Sequence, residues 1–203
     1  HTQNYFFFFH VDYIAILIKN FMTSNQSHKA LVFGSISIDK IINKYGTYND
    51  VLGGSAAYAL LATKSKECQL VGMVGSDFPK HHYNLLGNHS INLDDLKIEK
   101  GNTFAWGGEY VQDFSSRETL YVDPGVSEKF EPILSKDARQ CDYLLLGNTH
   151  PKLQLAVLNQ IESEPFIILD TFKLYTDIAN ADLKKMISKS NLLCINYNEA
   201  VHL

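Results

Sequence analysis

At 203 residues the chain is long enough to bury a substantial core as one domain, and with 45% hydrophobic and 20% charged residues its composition is that of an ordinary globular protein. A net charge of -4 leaves no basic footprint, which argues against nucleic acid as a main partner. Cys68, Cys141 and Cys194 are too few and too widely spaced for a disulfide framework or a zinc site, so buried thiols in a reducing, cytoplasmic setting are expected.

The sequence does not begin with Met, and residues 5–21 (YFFFFHVDYIAILIKNF) are apolar but interrupted by His10, Asp12 and Lys19. That stretch is too short and too charged for a spanning helix, and it lacks the basic leader and small-residue cleavage site of a signal peptide. Met22 is therefore the expected start of the folded part, with residues 1–21 a dispensable extension and no membrane as partner. The run Lys29–Ile38 (KALVFGSISI) reads as a central strand closed by Asp39. IINKYGTYNDVL follows as a hairpin with turns at Tyr45-Gly46 and Asn49-Asp50. Gly53-Gly54 then opens a helix, SAAYALLATKSK, whose alanines allow close packing on a sheet.

QLVGMVG reads as a buried strand and residues 78–90 as a polar helix, ahead of INLDDLKIEK. Residues 103–123 alternate and are rich in aromatics, predicting two half-exposed antiparallel strands with a turn near Asp113–Ser116. From residue 141 onward strand and helix patterns alternate: CDYLLLGN, PKLQLAVLNQIES, PFIILD, LKKMISKSN and LLCIN. That alternation is the signature of a parallel sheet with crossover helices. The last residues, from Asn196 to Leu203, begin another helix, so the sequence is expected to stop inside a domain. No linker rich in Pro, Gly or Ser divides it.

No P-loop, dinucleotide fingerprint or nucleophile elbow occurs. Adjacent His81 and His82 point to different sides of any regular element and read as solvated surface. What remains is a set of polar residues at strand ends, where open α/β sheets bind ligands. Asp39 could cap a turn, or accept hydrogen bonds from two adjacent hydroxyls. Gly53-Gly54 could be a simple turn, or bring backbone N–H groups close to a ligand. Asn148 and Asp170 each follow a strand and fit a cap or a ligand contact equally.

Taken together, GSISID (34–39), LGGSAAYALLA (52–62) and VGMVGSDF (71–78) resemble, in order and spacing, the N-terminal signature of ribokinase-like (PfkB-type) carbohydrate kinases. The stretches TFAWGGEY, NTHPKLQ and LDTF are most similar to a sub-branch of sugar kinases whose substrates are poorly defined. The resemblance runs from about Ala30 to Leu203 and is strongest over 34–78. It implies an α/β three-layer sandwich with a mostly parallel central sheet and a small β lid, with lid strands near 42–52 and 103–123 of an incomplete domain spanning 22–203. It implies ATP-dependent phosphorylation of a hydroxyl on a small sugar or polyol, with ATP and Mg2+ as cofactors and self-association through the lid. Asp39, Gly53 and Gly54 fall where the family binds sugar hydroxyls. Ser37 and Tyr58 fall where ribokinase has two asparagines, which puts ribose itself in doubt. Phe104 and Trp106 fall on the lid, as an apolar or stacking wall, and Asn148 and Asp170 at the sugar side. Asn196 and Glu199 match the family's Asn-x-x-Glu element, associated with magnesium and donor phosphates. The Gly-Ala-Gly-Asp element that carries the family's catalytic base occurs nowhere in these residues, so the base is expected beyond Leu203. Two alternatives stay open: a nucleoside kinase of the same superfamily, and a sugar-binding or regulatory protein without catalysis.

Overall fold

The computed structural model describes residues 28–63, 67–111 and 116–203. The expected extension 1–21 and most of the turn between the two aromatic strands lie outside the described residues. In chain order the first elements are β1 (Ala30–Phe33), β2 (Ser37–Asn43), β3 (Gly46–Gly53), α1 (Ser55–Thr63), β4 (Cys68–Gly75), α2 (Lys80–His89) and β5 (Leu96–Glu99). Next come β6 (Ala105–Tyr110), β7 (Arg117–Asp123), a 3-10 turn (Gly125–Lys129), β8 (Tyr143–Leu146) and α3 (Pro151–Leu158). Last are β9 (Phe166–Asp170), α4 (Lys173–Ile178), α5 (Asn180–Ile187), β10 (Leu192–Cys194) and α6 (Tyr197–His202).

Six strands form one parallel sheet in the order β10-β9-β8-β1-β4-β5. All eight residues of β4 and all four of β1 are buried, as a parallel strand covered on both faces must be. The period-2 alternation divides them between two cores. Ala30, Val32, Leu70, Val74 and Leu145 pack with Ala56, Ala57, Leu60 and Leu86 of α1 and α2. Leu31, Phe33, Val71, Leu144 and Leu146 pack on the other face with Leu155, Val157 and Met186 of α3 and α5. The result is three layers, helix on sheet on helix. Each fully buried Leu, Ile or Phe in these clusters contributes about 1.5–3 kcal/mol by leaving water.

The chain lays β4 and β5 on one side of β1 and then β8, β9 and β10 on the other, so the topology reverses between β1 and β8. That reversal opens a crevice at the strands' carboxyl ends. Above it sits a second sheet of order β3-β2-β6-β7, in which β2 runs antiparallel to β3 and parallel to β6, and β6 antiparallel to β7. All seven residues of β7 are exposed. This is a lid inserted into the main fold.

Three expectations need correction. Lys29–Ile38 is not one strand: the chain bends at residues 34–36, so that β1 belongs to the central sheet and β2, with Asp39 inside it, to the lid. Gly34 lies at the break, where a β-carbon would stand 2.6 Å from Ser55 Oγ. Asn49-Asp50 is not a turn but an irregularity within β3, where pairing with β2 slips between Asp39 and Ile41 and Asp50 takes a positive φ of 55°. His82 is not solvated: it is buried, and its Nε2 lies 2.7 Å from the Asp50 carbonyl oxygen, tying α2 to that same irregularity. The short α4, the 3-10 turn and the breadth of the lid also go beyond what the spacing predicted.

Candidate functional site

The lid and the crevice meet at Asp39. Ser37 pairs with Gly53 and Asp39 with Val51 across the β2–β3 hairpin, which sets the Asp39 carboxylate over Gly53. A β-carbon on Gly53 would lie 2.1 Å from Asp39 Oδ2 and 2.4 Å from Ser37 Oγ, so only glycine leaves room for both side chains. Burial pushes the Asp39 carboxyl up from its ordinary value of 3.8. Hydrogen bonding from the Ser37 hydroxyl and the Trp106 backbone N–H, and more distantly the Arg117 guanidinium, pull it back. Asp39 Oδ1 is buried with no hydrogen-bond partner among the described residues. Such an acceptor is costly unless something donates to it.

Gly54 serves a different purpose from Gly53. Its φ is +97°, and a β-carbon there would strike the Ser35 carbonyl oxygen at 2.3 Å. The Ser35 loop accepts the first N–H groups of α1: Ser55 N donates to Ser35 Oγ at 3.1 Å and Ala56 N to Ser35 O at 3.0 Å. These amides are thus spent on capping rather than aimed at a ligand. Tyr58, one turn further, donates its hydroxyl to the Leu52 carbonyl at 2.9 Å and lies near enough to Asp39 and Tyr110 that both raise its pKa, behind the larger effect of burial. Phe104 is half-buried and accepts the Ile38 N–H at 2.9 Å, and Trp106 lies beside Asp39 in the β2–β6 register.

A second polar cluster stands at the carboxyl ends of β8, β9 and β10. Asp170 is buried against Glu199, and its carboxyl is pushed up to about 7 by burial first and by the Glu199 charge second. The backbone N–H groups of Thr171 and Asn148 oppose that rise. Buried Gln154 donates to the Gly147 and Asp170 carbonyls at 2.9 and 3.0 Å, binding the ends of β8 and β9 together. Gln154 Oε1 and Thr171 Oγ1 are buried without partners among the described residues. Asn196 and Glu199 form a capping box at the start of α6: Glu199 N donates to Asn196 Oδ1 at 3.0 Å, and Asn196 N to Glu199 Oε2 at 2.9 Å.

The two clusters share one edge of the sheet. Ser55 Oγ stands 2.6 Å from where a β-carbon would lie on either Gly34 or Gly147, so the start of α1 bridges the ends of β1 and β8 next to Asn148. The structure therefore groups Ser37, Asp39, Gly53, Tyr58 and Trp106 on the lid side, and Asn148, Asp170 and Glu199 on the crevice side. Arg117 and Tyr110 were missed from the sequence. Tyr110 shares the parity of Trp106 along β6, a signal that could have been read; Arg117 depends on pairing across residues 112–115. Two cavities lie elsewhere, about 80 Å3 beside Gln69 and Cys141 and about 180 Å3 beside Phe78 and Tyr83. Neither is lined by Asp39, Gly53 or Trp106.

No protein-family model matches the chain, and no curated protein matches it. Solved structures do. The nucleoside kinase of Methanocaldococcus jannaschii, described as an archaeal member of the ribokinase family, superposes with a TM-score of 0.65 at 17% identity, over 86% of this chain and 62% of its own. Ribokinase from Cryptococcus neoformans, solved with ADP, gives 0.61 at 19% identity, over 75% and 53%. Fructokinase from Halothermothrix orenii gives 0.66 at 12% identity, over 86% and 70%. The chain thus spans 62% or less of the length of the first two of these. At such identities the likeness concerns architecture, and with the parallel sheet, the switch point and the inserted lid in place, the chain has the ribokinase-like α/β fold.

Proposed function

We propose that this chain carries the acceptor-binding part of an ATP-dependent kinase that phosphorylates a hydroxyl of a small sugar or polyol. One observation carries the reading: Asp39, on a lid strand over a glycine that makes room for it, keeps a buried carboxylate oxygen without a donor. Two neighbouring hydroxyls of a polyol supply such donors, and a carboxylate that already accepts from Ser37 would orient them. Ser37, Tyr58, Phe104 and Trp106 would line the same face, Gly53 and Gly54 would shape its floor, and Asn148 and Asp170 would border the far end. Closing the lid would exclude water, which protects a donor phosphate from hydrolysis.

Magnesium fits the second cluster. Asp170 and Glu199 are buried carboxylates, and the Glu199 charge raises the proton affinity of Asp170, a repulsion that a hard cation relieves. Among the described residues no third His, Cys, Asp or Glu joins them. Two carboxylates nevertheless suit magnesium, which completes its shell with water and phosphate oxygens. Glu199 would hold the ion and Asn196 would fix Glu199 through the capping box, while the ion would neutralise phosphate charge. The donor itself is another matter: no Gly-Ala-Gly-Asp element occurs in these 203 residues, so we assign neither its phosphate cradle nor the proton-accepting base to this chain.

Thermal-shift titration of the purified chain with neutral sugars, alditols and nucleosides, each with Asp39→Asn as control, tests the reading. Stabilisation by a polyol that disappears in the variant supports it; stabilisation by nucleosides alone moves the acceptor to that class. No response to any member sinks it. Sugar-dependent ADP release by the chain alone would contradict the assignment of the base elsewhere. Three buried free thiols, Cys68, Cys141 and Cys194, support the cytoplasmic part of the reading. The exposed β7 edge accords with self-association through the lid.

A further inference from the structure

We propose that His82 is a positioning residue of the acceptor site: from α2 it grips a bulge in β3 and so holds the Asp39 carboxylate where a polyol reaches it. The role rests on the acceptor reading above and deepens it.

The bulge directly follows Asp39 in the β2–β3 pairing. Asp39 pairs with Val51 and the next pair is Ile41 with Tyr48, so Lys40 alone stands opposite both Asn49 and Asp50. Such an extra residue bends the strand and re-aims the side chains beside it. Asp50 absorbs it with a φ of 55°, a left-handed conformation that costs an L-residue energy and persists only where its surroundings hold it.

The hold comes from His82. It occupies the buried face of α2 one turn before Leu86, and its Nε2 lies 2.7 Å from the Asp50 carbonyl oxygen. A carbonyl only accepts, so Nε2 carries the proton and donates it. Nδ1 is buried with no hydrogen-bond partner among the described residues. The rings of His81 and Phe78 pack beside the imidazole at centroid distances of 4.0 and 6.0 Å. A phenylalanine would fill that space and orphan no nitrogen, so packing alone gives no reason for an imidazole. What the imidazole adds is one donor, spent on the strained residue of the bulge.

The same stretch of chain grips the lid on its other side. Asp77 Oδ1 accepts from Thr103 N and from Thr103 Oγ1, each at 2.7 Å, and Thr103 Oγ1 accepts from Gly75 N at 2.9 Å. Thr103 lies just before β6, and the lid order is β3-β2-β6-β7. Residues 75–82 therefore hold β3 through His82 and the approach to β6 through Asp77, and those two strands flank β2. Asp39, paired with Val51 on one side and Trp106 on the other, is supported from both. A group that orients a reacting hydroxyl needs such support, because a misplacement of about 1 Å can cost about a hundredfold in rate.

The experiment compares His82→Phe, which keeps the ring and removes the donor, with His82→Gln, whose side-chain amide nitrogen takes the place of Nε2. Both are titrated calorimetrically beside the unaltered chain with the neutral sugars, alditols and nucleosides named above, and amide exchange is followed by mass spectrometry. We expect His82→Phe to weaken the tightest member about tenfold, the scale of one well-placed hydrogen bond. Exchange should quicken in residues 37–42 and 48–51, while the unfolding midpoint barely moves, because the carbonyl of exposed Asp50 can turn to water. His82→Gln should restore affinity and protection together. Binding that survives His82→Phe overturns the proposal, as does exchange that stays unchanged or quickens equally through β1 and β4, or a His82→Gln that behaves like His82→Phe. In each of those cases the acceptor reading stands. An unaltered chain that binds no member of the panel takes that reading down, and the proposal with it.

Discussion

The Asp39 carboxylate stands in space that any side chain at position 53 would claim, and that single steric fact ties the hairpin to its chemistry. Gly53→Ala should destabilise the chain by about 1–3 kcal/mol, the usual range for overpacking, and should also weaken polyol binding. Chemical denaturation and titration together check this, and an alanine that leaves binding intact contradicts the placement of the site. Asp170 gives a second test through pH. Its carboxyl titrates near 3.8 when unexposed to these neighbours and at about 7 in the fold. Below both values the group is neutral in either state and contributes nothing. As pH rises between them the unfolded chain ionises first, so stability falls, and above about 7 a penalty of at most about 4 kcal/mol persists. Asp170→Asn should therefore flatten the stability profile between pH 4 and 7 and raise the melting temperature at pH 8 in metal-free buffer. An unchanged profile would mean that the carboxylate pair is not buried as described. The thiols follow the same electrostatics: burial pushes Cys68, Cys141 and Cys194 up to about 12, so the folded chain should resist alkylation at pH 8 until denaturant is added.

Among the elements, α6 and the lid differ most in what holds them. α6 has six residues, too short to persist on propensity, and its capping box supplies the missing acceptors. Asn196→Ala should cost about 1 kcal/mol, felt as faster amide exchange in Tyr197–His202 with little change in global unfolding. Exchange that quickens across the whole sheet instead would show that the cap holds more than its own helix. The elements also show how far sequence reading reached. The inner strands of the central sheet, β1, β4, β8 and β9, could be placed from their apolar runs, because a strand buried on both faces must be apolar throughout, whereas β5, LKIE with three exposed residues, could not. The division of Lys29–Ile38 into β1 and β2 could not, because both pieces have strand-like composition and the break lies where Ser55, from another element, approaches Gly34 closely. Asp39 stands out in the sequence, whereas its neighbour Arg117 does not, since cross-strand register is absent from local pattern.

On the scale of the whole molecule, β10 ends the parallel sheet with one edge unpaired among the described residues, beside a surface where Ile178, Tyr197 and Val201 are exposed. Bare edges with apolar flanks invite pairing with another chain. The 203-residue chain should accordingly associate through this edge as well as through the lid as its concentration rises, seen by sedimentation velocity, and Tyr197→Lys with Val201→Lys should remove the first part alone. Association that only lid substitutions such as Val122→Lys suppress would assign it to the other sheet. Sequence alone determined the layer architecture, since apolar runs of strand length alternating with helical stripes have few ways to bury themselves. It also determined the presence of a carboxylate and a glycine pair at the sugar-binding positions that the resemblance implies. Only tertiary structure decided that Asp39 belongs to the lid, that Gly53 rather than Gly54 yields to it, and that Arg117 faces it from β7. Those facts depend on strand pairing between segments far apart in the chain, and side-chain pattern records which face a residue shares with its neighbours but not which strand lies across from it.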